Sequence, residues 1–221
     1  MKIIIANSTV LHKKLEKELV KKYEAIIVSK KEELDSERIK KISPDYIFFI
    51  HWAYKIPVEI YDHYRCIVFH MTDLPFGRGG SPLQNLIVRG FSDTKLSAIK
   101  VVEKFDAGDI YLKKKLSLKG TANQIFLRAD KIIEKMIGQI ILKRITPRPQ
   151  TGSVTIFKRR IPEESNICGL EDLKEAYDYI RMLDGEGYPK AFLETEKLKF
   201  EFSRANFKSN KLLAYVRIIK K

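Results

Sequence analysis

The chain reads as an α/β protein, with a mostly parallel sheet flanked by helices over residues 1–150 and a small α+β carboxyl-terminal extension over residues 151–221. Two observations carry this reading. Short apolar runs such as KIIIA and YIFFI suit strands buried on both faces, and they alternate with segments of helical periodicity such as HKKLEKELVKKY. The segment TPRPQ then sets two prolines, Pro147 and Pro149, after a long periodic stretch, which marks a boundary.

In chain order, residues 2–6 form a strand and residues 12–23 a helix, with a second strand at 25–29, a second helix at 31–42 and a third strand at 46–50. The loop HWAYKIP leads to a short helix at 57–64 and a strand at 66–70. Ser81, Pro82 and Gly90 bracket a further helix as N-cap, first residue and stop. Residues 96–102 form the next strand, and Thr121 caps a helix over 122–145. The last third holds a strand at 154–157, a helix at 170–183, the turn DGEGYPKAF and two or three strands.

Hydrophobic residues make up 44% of the 221, enough for a sizeable core. There is no long apolar run and no secretory start, so the sequence predicts a cytoplasmic protein without a membrane partner. Cys66 and Cys168 match no metal-ligand spacing and read as reduced thiols, and no metal is expected. The net charge of +14 favours polyanions. Much of it, however, is lysine alternating with glutamate at helical spacing, which reads as a solvated face. The first turn, ANSTVLHKK, lacks glycine, and neither G-x-G-x-x-G nor a P-loop occurs, which argues against nicotinamide, flavin and P-loop nucleotide sites.

Chemistry concentrates in CIVFHMTDLPFGRGGSPLQ, residues 66–84. An apolar strand delivers His70 into a loop of acid, prolines, glycines and arginine at the carboxyl end of a strand, where open α/β sheets bind ligands. Asp106, in the turn FDAGDI, can meet it. A carboxylate beside a histidine favours imidazolium and fixes its orientation, which suits acid/base work.

HMTDLPFGRGGSP resembles the H-P-S-L-L-P-x-x-R-G-x-x-P signature of the folate-dependent formyltransferases, and FDAGDI resembles their D-x-G-D segment, at the family's usual separation. YIFFIHWAYKIP looks like the strand and loop before that signature. The resemblance implies a Rossmann-like domain that uses 10-formyltetrahydrofolate, with His70 as acid/base and Asp106 as its partner. It further implies a cofactor pocket walled by Trp52, Tyr54 and Ile56 and closed by Asp106, Gly108 and Asp109. For Trp52 and Tyr54, core packing is the competing role. The family's asparagine two residues before the histidine is Val68 here, so its oxyanion role passes to Thr72, Ser81, His51 or backbone N–H groups as candidates.

FKRRIPEES and IRMLDGEGYPKAF look like segments of the sugar-nucleotide members of that family. The acceptor this implies is a UDP- or dTDP-linked amino sugar, with nucleic acid not expected as a partner and a homodimer compatible with the branch. Arg78, Arg159, Arg160 and Arg181 are the candidate diphosphate ligands, because arginine forks onto phosphate oxygens, and Tyr188 or Phe192 can stack on a base. Asp73 either braces the loop or binds the amine, Gly79 and Gly80 serve backbone conformation, and Ser81 and Gln84 complete the acceptor side. Arg159 and Arg160 have a competing role as partners of Glu163 or Glu164. Formylation of a methionyl-tRNA and a degenerate folate- or nucleotide-binding protein are the alternatives.

Overall fold

The computed structural model describes residues 1–9 and 11–221. Its chain runs β1 (Lys2–Ala6), α1 (Lys13–Lys22), β2 (Glu24–Val28), α2 (Ser36–Ile42), β3 (Tyr46–Phe49), α3 (Val58–Tyr61), β4 (Cys66–His70), β5 (Arg78–Gly79), α4 (Pro82–Ile87), β6 (Asp93–Lys100), β7 (Ile110–Ser117) and α5 (Ala122–Lys143). It continues with β8 (Ile156–Phe157), α6 (Leu173–Leu183), β9 (Ala191–Glu194), β10 (Leu198–Lys208) and β11 (Lys211–Lys220). Two compact units divide it: Met1–Arg78, Lys95–Lys115 and Leu127–Ile156 form one, while Gly79–Thr94, Leu116–Phe126 and Phe157–Lys221 form the other.

The first unit is built on a sheet of order β2-β1-β3-β4-β6-β7. The pairs β1–β2, β1–β3 and β3–β4 are parallel, and β6 runs antiparallel to β4 with His70 opposite Ser97. This is the mostly parallel α/β fold the apolar runs predict. Residues alternate between the two faces of each strand, so Ile4, Ala6, Val28, Ile47, Phe49 and Cys66 enter one core cluster with Leu34, Ile39 and Ile60. Ile3, Ile5, Phe48 and Ile67 are as fully buried, which follows from helices covering both faces. Burying one such side chain stabilises the fold by about 1.5–3 kcal/mol.

The second unit carries the antiparallel sheet β11-β10-β9, with α6 packed on β10 and α4 against α6. Asp172 caps α6 by accepting the Glu175 N–H, so the helix starts at Leu173 rather than at 170. The strand expected at 154–157 is only Ile156–Phe157. The helix expected over 31–42 is interrupted, because Asp35 accepts the Arg38 N–H and starts α2 afresh after a single 3₁₀ turn. No helix among the described residues is long and apolar enough to cross a membrane.

Cys66 and Cys168 differ in environment. Burial pushes the Cys66 thiol up to about 12, while Cys168 is exposed. Since the thiolate is the nucleophile, a disulfide reagent at about pH 8 should titrate Cys168 rapidly in the native protein and Cys66 only after denaturation. Rapid reaction of both thiols in the native protein would contradict this packing.

Candidate active site

His70 ends β4 and is 7% exposed. Its Nε2 lies 2.7 Å from the carbonyl oxygen of Gly77, and its Nδ1 lies 3.4 Å from Asp106 Oδ1. A carbonyl only accepts, so Nε2 carries a proton. Both ring nitrogens therefore face acceptors, an arrangement complementary to imidazolium. Gly77 has φ of 75°, a left-handed turn that glycine adopts without steric penalty and that helps set the direction of this carbonyl. Thr72, fully buried, donates from Oγ1 to the same oxygen at 3.3 Å and accepts at its own carbonyl from Ser97 of β6. The loop after β4 is thus closed on itself at Gly77 and tied to β6 at Thr72.

Asp106 adopts φ of 54°, an uncommon conformation for a residue with a Cβ. The turn that holds it is secured by backbone contact. A Cβ added at Gly108 would fall 1.8 Å from the Lys100 carbonyl oxygen, and the Lys100 N–H donates to Asp109 O at 2.8 Å. Gln150 completes the arrangement. Its amide nitrogen donates to the carbonyls of Asp106 and Gly108, both at 2.8 Å, and its oxygen accepts from Arg78 Nη2 at 2.7 Å and Nε at 3.2 Å. Gln150 is not among the residues the sequence points to, since it merely ends the boundary segment TPRPQ. The signal available was a polar side chain directly after two prolines that stop α5. Arg78, read as a phosphate ligand, spends donors on this amide instead.

Asp73 lies between Lys113 Nζ at 2.5 Å and Lys95 Nζ at 2.9 Å. Partial burial would raise its carboxyl, but the two lysines outweigh it and hold the group below the usual carboxylate range. This geometry favours loop bracing. Trp52 stands edge-on to Phe49 and to Tyr54, and with Ile56 it packs on the core cluster. Its Nε1 is buried without a hydrogen-bond partner among the described residues. Tyr54 is half exposed beside it.

None of the three side chains proposed to replace the family asparagine is uncommitted. Thr72 is turned to Gly77, and Ser81, in the second unit, accepts the Arg160 N–H on Oγ at 3.0 Å. His51 stacks on His12 with centroids 3.9 Å apart, and its Nε2 lies 3.9 Å from Asp130 Oδ1. Burial, and then the neighbouring His12, push the His51 imidazole down to about 3. Val68 shares a strand face with His70 and packs on the core cluster.

In the second unit Gly79 and Gly80 permit backbone to meet backbone. A Cβ at Gly79 would fall 2.4 Å from Phe157 O, and one at Gly80 would fall 2.6 Å from Arg159 Cα. Ser81 does not cap α4 with its hydroxyl, which serves Arg160 instead. The Arg160 guanidinium lies over the Tyr179 ring and donates to Glu164 O. Arg181 is a correction to the sequence reading. Only 8% exposed, it donates to Leu118 O and Gly120 O and pairs with Asp178, so it braces the interior instead of facing a diphosphate. Gln84 is likewise buried on the Met182 carbonyl. Tyr188 stacks on Phe126, and burial raises its hydroxyl against the opposing influence of Gln84 and Arg159.

Residues 162–219 match the family model described as methionyl-tRNA formyltransferase, C-terminal domain. The methionyl-tRNA formyltransferase of Wolinella succinogenes is 28% identical over 176 residues, covering 76% of this chain and 56% of that protein. That of Bacillus licheniformis is 33% identical over 151 residues, covering 67% of this chain and 47% of that protein. The chain thus spans about half the length of the curated relatives it matches. A solved structure described as methionyl-tRNA formyltransferase from Clostridium thermocellum is 52% identical, covers all of both chains and superposes with a TM-score of 0.95. A likely sugar N-formyltransferase from Mycobacterium tuberculosis, at 13% identity and a TM-score of 0.70, shares the fold alone. These likenesses overturn the expectation of an amino-sugar partner with nucleic acid excluded, since the similar chains are methionyl-tRNA formyltransferases. In FKRRIPEES, the backbone of Phe157 and Arg159 packs against Gly79 and Gly80 and the Arg160 N–H donates to Ser81, contacts that serve the fold of the second unit. By its full-length likeness to the Clostridium thermocellum chain, this protein belongs to the formyltransferase family that the methionyl-tRNA formyltransferases represent.

Proposed function

We propose that the protein transfers a formyl group from 10-formyltetrahydrofolate to the amine of methionyl-tRNA. The geometry that carries the chemistry is His70 held between the Gly77 carbonyl and the Asp106 carboxylate. The acceptor is supported by the full-length likeness to a methionyl-tRNA formyltransferase. The basic strands β10 and β11, with Lys199, Arg204, Lys208, Lys211, Arg217 and Lys220, agree with a phosphate-rich partner.

The loop after β3 suits a flat, heteroatom-rich ring. Trp52 offers a buried indole N–H without an acceptor among the described residues, beside the half-exposed ring of Tyr54. Trp52, Tyr54 and Ile56 would hold the pterin end, and Asp106, Gly108 and Asp109 its neighbouring edge. When bound, 10-formyltetrahydrofolate supplies an activated one-carbon group. The rest falls to the chain. Transfer to an amine removes one proton from the attacking nitrogen and delivers one to the leaving nitrogen, and His70 is the group poised to move them. Asp106 orients the ring at Nδ1 and compensates its charged form. Val68 adds no hydrogen-bond donor on the face it shares with His70, which leaves backbone N–H groups to stabilise charge developing on the formyl oxygen. Gln150 holds the Asp106 turn at the distance this needs.

Incubation with 10-formyltetrahydrofolate and methionyl-tRNA, with UDP- and dTDP-amino sugars as competitors, is expected to yield formylmethionyl-tRNA by mass spectrometry. Formylation of a sugar instead, or of nothing, overturns the proposal. RNA binding should weaken steeply with salt. His70→Ala should lower kcat by about 100- to 10,000-fold with little change in tRNA affinity. Gln150→Ala should lower kcat by roughly 10- to 100-fold through misplacement of Asp106, with the KM for tRNA retained. An unchanged kcat in either variant would remove that residue from its role.

A further inference from the structure

Outside the formyl-transfer site, three side chains far apart in sequence converge inside the first unit. His12 precedes α1, His51 follows β3, and Asp130 lies on α5. His12 Nδ1 is 2.7 Å from Asp130 Oδ2, His51 Nε2 is 3.9 Å from Asp130 Oδ1, and one ligand atom from each residue lies within 4.8 Å of the other two. His12 is 2% exposed and Asp130 7%, so the cluster is interior and not a chance meeting of surface groups. Asp130 Oδ1 is buried with no hydrogen-bond partner among the described residues. A buried carboxylate oxygen left in that state is costly and calls for a cation or a donor.

From this convergence we propose that His12, His51 and Asp130 form a binding site for one divalent transition-metal ion of the zinc class. Two imidazoles and one carboxylate select zinc, cobalt or nickel over magnesium and calcium, which prefer oxygen ligands throughout. Bonds of about 2.0–2.2 Å to such an ion bring neighbouring ligand atoms to roughly 3–4 Å from one another, and the separations here bracket that range. As they stand the rings are parallel, with an interplanar angle of 6° and centroids 3.9 Å apart, so no point lies in the plane of both. Coordination therefore turns one ring about its Cβ–Cγ bond, a broad and roughly two-fold torsion, and opens the stack. His51 also sits at φ of 50°, a left-handed conformation uncommon outside glycine. Strain of this kind is kept where the surroundings over-determine a position, often at ligand clamps. The ion would tie the chain ahead of α1 and the loop after β3, which carries Trp52, Tyr54 and Ile56, to α5. Its place in sequence hides the site, because no short ligand spacing links residues 12, 51 and 130.

The test uses the whole chain, stripped with a chelator and titrated with zinc or cobalt alone. Binding of about one equivalent per chain is expected after dialysis, by elemental analysis. Trp52, the single tryptophan, adjoins His51, and its fluorescence should be quenched by cobalt with the same stoichiometry. His51→Gln and Asp130→Asn should each weaken binding by at least about 100-fold, whereas His63→Gln and Cys168→Ser should leave it unchanged. Retention of less than about a tenth of an equivalent by the native chain overturns the site, and so does undiminished binding in a folded His51→Gln or Asp130→Asn protein. Because the readout is metal content and fluorescence, the result is independent of any formyl-transfer assay.

Discussion

One carboxamide holds the reactive geometry together. Gln150 donates to two carbonyls of the Asp106 turn and accepts the Arg78 guanidinium, so the turn after β6, the glycine loop after β4 and the chain beyond α5 share a single set of hydrogen bonds. An amide suits this because it has two donors and an acceptor and no charge to neutralise. Each bond contributes about 0.5–1.5 kcal/mol net, and more where a charged group takes part. Their larger effect is positional. Asp106 holds an uncommon left-handed backbone conformation, and a turn of that kind persists only when its surroundings over-determine it.

The same principle governs the motif glycines. Gly108 admits the Lys100 carbonyl, while Gly79 and Gly80 admit the segment from Phe157 to Arg159. A side chain at any of these positions would collide with backbone, which cannot move aside as a flexible side chain can. Each of these glycines therefore sets a backbone path within its own unit. Arg181 makes the complementary point. Its guanidinium is buried, yet its donors are met by two carbonyls and the Asp178 carboxylate, which is how an interior charge is tolerated.

Electrostatics separate the proposed chemistry from the proposed recognition. Near His70 the carboxylates have partners at short range, with Asp106 beside the imidazole and two lysines on Asp73. The excess positive charge lies elsewhere, along elements such as β10 and β11, where screening by salt is strong. A protein built in this way can bind a polyanion loosely over a broad surface and still hold one histidine in a fixed orientation.

Much of the fold was legible in the one-dimensional pattern. Strands such as β1 and β3 are short apolar runs because burial on both faces allows no alternation, and that period is visible without coordinates. The His70 loop and the D-A-G-D turn were legible for a related reason, since glycine, proline and an isolated titratable residue are local signals. The roles of Arg181, Gln84, Ser81 and Gln150 were not. A side chain's sequence neighbours do not reveal which distant backbone groups it will meet, and hydrogen-bond partners 42 to 98 positions away exist only once the chain has packed. The amino-sugar expectation chose its arginines by residue type, and one of them, Arg181, is held by two interior carbonyls and Asp178, a commitment that no local pattern reveals. His12, His51 and Asp130 show the converse, a donor set with no sequence motif that three separate elements assemble.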